Sequence, residues 1–216
     1  MNEQLRNLFL ENWNLFAEAM EKGSTAPLLL RASDAYREAE PRLMFVGQET
    51  QGWDYPSGAE DSVGALMDQY EGLRFGKDRR HTPFWKTVHE IREHINLESS
   101  DRSILWSNLG KVSLNNDLPS REILDPLLQA EILPKEIKIT GLDAVVFFAG
   151  PTFKHDSLLR TTFEGAELNQ LETNLHKVPH PVLPEQSFRT YHPNYLQQDQ
   201  QWNLVEAISQ RIRINS

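Results

Sequence analysis

Cysteine is absent from all 216 residues, so the chain can form no disulfide, thiolate metal site or thiol nucleophile. That fits a reducing compartment, and a cytoplasmic location is the expectation. Long apolar runs are missing as well. None approaches the roughly 20 residues that a membrane-spanning helix needs, and the N-terminus, with Glu3 and Glu11, lacks the basic start and apolar centre of a signal peptide. Positive charge is scarce: 22 Lys and Arg stand against 31 Asp and Glu, a net charge of −9. Broad attraction to nucleic acid is thereby disfavoured, because phosphate contacts depend on Lys and Arg. There is no nucleophile elbow around any serine, no phosphate-binding glycine fingerprint after a strand, and no repeat, low-complexity tract or linker.

What is present suffices for one core. With 39% apolar residues, the expectation is a single domain over residues 1–216, with 1–41 a helical segment packed on it. Leu5, Phe9, Trp13, Phe16 and Met20 recur at spacings of three and four, which predicts an amphipathic helix from Asn2 to Lys22, stopped by Gly23. Leu43 to Val46 is an uninterrupted apolar run ending at Gly47, as in a buried parallel strand that opens into a site. Ser103 to Trp106 and Leu142 to Ala149 read as further strands; the prolines of 178–183 allow only an edge strand or extended loop, and Ser187 to Tyr191 leads into His192-Pro193. Helices are expected within 62–70, from Pro83 with Thr82 as its N-cap, within 124–132, from His155, and over 202–214. Strands separated by helices imply an α/β fold, a three-layer α/β/α sandwich around a mostly parallel four-stranded sheet.

Several polar residues sit where strands end. Glu49, just past the first strand, could position a water or be a solvated loop acid. Asn108, past the second, could present its amide to a base edge or cap a turn. His192 before Pro193 could donate to an oxygen gaining charge or hold a turn, and Phe75 could stack on a planar ligand or anchor its loop. Asp78-Arg79-Arg80-His81 is a small basic patch able to meet a phosphate or to stay solvated. His89 and Glu93 share a helix face near His81 and His94, a weak metal pattern; no metal is expected.

In their order these segments resemble the uracil-DNA glycosylase superfamily. Its G-Q-D-P-Y-H strand end is matched by Gly47-Gln48-Glu49-Thr50-Gln51-Gly52, its L-x-F-S by Leu73-Arg74-Phe75-Gly76, and its P-S-L-x-x-I helix by Thr82 to Val88. Its L-L-L-N strand is similar to Leu105-Trp106-Ser107-Asn108, its V-V-F-L-L-W-G strand to Val145 through Gly150, and its H-P-S-P-L loop to His192-Pro193-Asn194-Tyr195-Leu196. The likeness spans residues 42 to about 200.

The resemblance implies a DNA-repair hydrolase that flips an altered base out of the duplex and cleaves its N-glycosidic bond without any cofactor. Phe75 would stack on the base, Asn108 would read its pairing edge, and Gln48 and Gln51 would complete the base pocket. Glu49 would orient the water, and His192 would stabilise charge on the departing base. Leu196 would be the wedge, with Tyr195 beside it, and Lys111, Arg79 and Arg80 would meet DNA on a rim shared with Arg74, Lys77 and Lys154. Glu49 and Gln51 stand where the uracil-specific branch has Asp and Tyr, so a modified base is as open as uracil, with Trp53 or Tyr55 left to fill the space of that Tyr. A non-catalytic α/β module that binds a nucleotide, DNA or a protein partner is the alternative.

Overall fold

The computed structural model describes residues 1–50, 53–56, 60–73, 81–95, 100, 102–150, 152–198 and 202–214. The predicted first helix is two, α1 (Asn2–Glu11) and α2 (Trp13–Glu21). Asn12 breaks it: its side chain donates to Leu8 O at 2.8 Å, a local bond that competes with the helical ladder. Gly23, at φ 90°, ends α2 as predicted. In the short α3 (Asp34–Arg37), Ser33 caps the helix by accepting from Tyr36 N.

Four parallel strands form the centre: β1 (Leu43–Glu49), β2 (Ile104–Gly110), β3 (Ala144–Gly150) and β6 (Gln186–Tyr191). The sheet nonetheless has six strands rather than four. β5 (Leu175–Lys177) pairs antiparallel with β6, and β4 (Asn169–Glu172) with β5, giving the order β2-β1-β3-β6-β5-β4. This hairpin is illegible in sequence because β4 is largely exposed and carries no apolar alternation.

Between the parallel strands run α4 (Ser62–Gly72), α5 (Pro83–Ile95), α6 (Arg121–Gln129), α7 (Ile132–Thr140) and α8 (Phe153–Thr162). Chain positions α9 (Pro193–Gln198) and α10 (Asn203–Ile214) complete the fold. One helix was expected where α6 and α7 lie; Glu131, at a left-handed φ of 53°, turns the chain between them.

Helices cover both faces of the sheet, as strand alternation makes plain. Neighbours Trp106 and Ser107 point to opposite sides; the first meets Phe84 of α5, whereas Ser107 Oγ donates to Glu136 of α7 at 3.0 Å. α10 and α9 pack on α5, and α1 packs on α7. The exposed edge of β2 is closed by Tyr70 of α4: its hydroxyl accepts from Trp106 N at 2.8 Å and donates to Trp106 O at 3.0 Å, a bond pair that blunts an open edge. β3, buried along its whole length, is the centre of the core; truncating Phe147 or Phe148 to Ala is expected to cost about 3–5 kcal/mol.

No helix of the described residues is long and apolar enough to cross a membrane.

Candidate functional site

Parallel register brings the site together. β1 and β2 pair with Gly47 opposite Asn108, so two loops distant in sequence leave the sheet side by side at its carboxyl end. The approach is close: a Cβ on Gly47 would lie 2.4 Å from Asn108 Oδ1 and 3.4 Å from the Phe84 ring. Only glycine leaves room for that amide. A cleft of about 500 Å³ opens here, lined by Gly47, Gln48 and Glu49 from β1, Phe84 and Trp85 from α5, Trp106 and Asn108 from β2, and His192, Asn194 and Tyr195 from the loop after β6.

Asn108 is buried and its orientation is fixed. Trp106 Nε1, which can only donate, gives its proton to Oδ1 at 3.2 Å, and Nδ2 donates to Thr50 Oγ1 at 3.1 Å. Thr50 in turn donates to Lys111 O at 3.2 Å. The amide keeps one N–H and one oxygen lone pair for a ligand, a donor and an acceptor side by side.

His192 lies against Phe84, ring centroids 6.0 Å apart and 27° from parallel. Burial lowers its pKa from 6.5 to about 4, with Glu49 opposing the shift and His155 adding to it. The ring is therefore neutral at pH 7. Its Nδ1 accepts from Asn194 N at 3.3 Å, which leaves the proton on Nε2 as a donor.

Glu49 meets His155, a residue of α8 with no part in the expected site. Nε2 of His155 lies 3.1 Å from Oε2 of Glu49, and Thr152 Oγ1 meets Nδ1 of the same ring. Gln48 holds the β1 loop against β3 by donating to Ala149 O at 3.1 Å.

Glu49, Gln48, Asn108, His192 and Tyr195 thus line one cleft. Gln51, Phe75, Arg79 and Arg80, with Arg74 and Lys77, lie outside the described residues. Among the described residues Phe84 and Trp106 supply the aromatic wall. Neither Trp53 nor Tyr55 lines it: Trp53 backs the edge of Trp106, and Tyr55 stacks on Trp13.

Two expected DNA contacts are corrected. Lys111 is 4% exposed, with Nζ 2.6 Å from Glu136 Oε1 and 3.0 Å from Ser107 Oγ. A cation so desolvated cannot also reach a phosphate; burial lowers its pKa and raises that of Glu136. Leu196 is fully buried in the core, because α9 turns it inward while Tyr195, 38% exposed, faces out. Lys154, also expected on the DNA rim, is exposed but pairs with Asp117. The His89 and Glu93 pattern gathers no third ligand: no three metal-ligating side chains come together among the described residues.

No protein-family model matches the chain, and no curated protein matches it in sequence.

Proposed function

We propose that the chain is a DNA glycosylase-like hydrolase, of the uracil-DNA glycosylase type, that cleaves the N-glycosidic bond of a uracil or other altered base held in the cleft. The observation that carries it is the convergence of Glu49, Asn108 and His192, from the ends of three different strands, on one cleft with an aromatic wall. Each group has a protonation or orientation suited to one step. Asn108 offers an adjacent donor and acceptor, the pattern that a pyrimidine edge of the uracil kind can complement. Neutral His192 directs Nε2–H at an oxygen gaining charge as the base departs, a contribution typically worth about 10² to 10³ in rate. The Glu49 carboxylate orients a water toward the sugar carbon and balances its positive charge. Products are the free base and an abasic sugar, so no cofactor enters the balance.

With Lys111 and Leu196 buried, the backbone and wedge contacts fall to other groups, of which Tyr195 at the cleft mouth is one. The same burial, with a net charge of −9, favours a second reading: a module that holds a nucleotide or base without cleaving it. Incubating the purified protein with single- and double-stranded oligonucleotides carrying uracil or other altered bases, followed by strand scission at abasic sites, separates the two. Cutting supports the hydrolase. Saturable binding of the same oligonucleotides with no cutting supports the module.

A further inference from the structure

We propose that His155 is the positioning residue of Glu49, and that Thr152, by fixing the tautomer of the ring, completes a hydrogen-bonded array presenting one carboxylate oxygen to the cleft. For its catalytic consequence the inference rests on the glycosidic reading above; its geometry stands without it.

Thr152 occupies the N-cap of α8, where a threonine hydroxyl ordinarily accepts from a backbone N–H of the first turn. Here it makes no such bond; it meets Nδ1 of His155, one turn on. His155 is 7% exposed and the Glu49 side chain 8%, so the bond between them is largely shielded from bulk water. With Glu49 a carboxylate and the ring neutral, one arrangement satisfies both ring nitrogens. A proton must lie between His155 Nε2 and an ionised Glu49, so Nε2 carries it; Nδ1 is then an acceptor, and the Thr152 hydroxyl is its donor. The ring is held at both nitrogens.

The terminal torsion of a glutamate is broad, and a carboxylate gripped at one oxygen loses that freedom. Oε2 is taken by His155; Oε1 has no partner among the described residues, and Glu49 lines the cleft. The order hydroxyl, imidazole, carboxylate is also that of a nucleophilic triad. Thr152 does not line the cleft, however, so the end of the array that meets a ligand is the carboxylate.

The test has two arms. Nitrogen-15 NMR of the ring-labelled wild type at neutral pH should show His155 protonated at Nε2 and bare at Nδ1, and Thr152→Val should mix the tautomers. A proton on Nδ1 in the wild type overturns the inference whatever the activity. In single-turnover cleavage of the best oligonucleotide, His155→Leu should lower the rate by about 10², the scale on which small misplacements of a reacting group act, with substrate affinity little changed. His155→Gln, which still donates to Glu49, should recover most of the loss. If folded His155→Leu cuts as fast as wild type, the positioning role fails while the glycosidic reading survives. If the wild type cuts nothing, that reading fails and the tautomer alone decides the array.

Discussion

Trp106 Nε1 donates to Asn108 Oδ1 at 3.2 Å, so an indole in the cleft wall dictates which way the buried amide faces. Trp106→Phe keeps the apolar ring and removes the donor. With such a bond worth about 1 kcal/mol, the variant should cut its best substrate several-fold more slowly and discriminate less between bases, with a melting temperature close to wild type. Single-turnover rates on two competing bases check this; unchanged discrimination would mean that the amide is held by other means.

Gly47 faces the same amide. In Gly47→Ala the new methyl would sit 2.4 Å from Asn108 Oδ1, so the amide or the strand must shift. A loss of about 1–3 kcal/mol in stability and a larger proportional loss of activity are expected, measured by urea unfolding and oligonucleotide cleavage.

Much of this frame was legible in sequence. Leu43 to Val46 announces a buried strand because its apolar run is short and stops at a glycine, and Thr82-Pro83 announces the start of α5 because proline suits a first helical position. The site was legible only as separate strand ends. Register is a tertiary property, and nothing local tells that Gly47 faces Asn108. His155 escaped for the same reason, lying 106 residues from the carboxylate it meets. Lys111 and Leu196 misled because charge and loop position were read as exposure. The first has a buried partner in α7 and the second lies on the inward side of α9, contacts that no spacing reveals.

Lys111 and Glu136 should behave as a structural pair. Removing one leaves the other charged and buried, so Lys111→Met is expected to cost about 3–5 kcal/mol, whereas Lys111→Met with Glu136→Leu should regain most of that loss. Urea midpoints of the single and double variants decide it. A loss in the double variant equal to the sum of the losses in Lys111→Met and Glu136→Leu alone would show that the pair is not coupled.

Leu196 and Tyr195 are adjacent and should separate cleanly. Leu196→Ala truncates a fully buried side chain and should destabilise by about 2–5 kcal/mol. Tyr195→Ala should leave the unfolding midpoint almost unchanged and weaken binding to an abasic duplex. The opposite pattern would restore Leu196 as the wedge.

His192 carries a pH signature. In the folded protein it titrates at about 4, against 6.5 for an unperturbed histidine, so as pH falls the unfolded chain takes up this proton first. The stability it contributes is complete above 6.5 and is lost as pH drops through about 4. Unfolding midpoints should therefore fall between about pH 7 and about pH 4.5 by more in wild type than in His192→Asn. Parallel pH dependence in the two proteins would place the ring in a more open setting.

The most direct measurement is cleavage of the altered-base oligonucleotide panel by wild type, Asn108→Ala and His192→Ala, each shown to be folded. The prediction is strand scission at one or more bases by wild type, with losses of about 10² or more in the His192 variant and a comparable loss in the other. Intact oligonucleotides after incubation with wild type, or equal cutting by all three proteins, would contradict the assignment of this cleft to glycosidic bond hydrolysis.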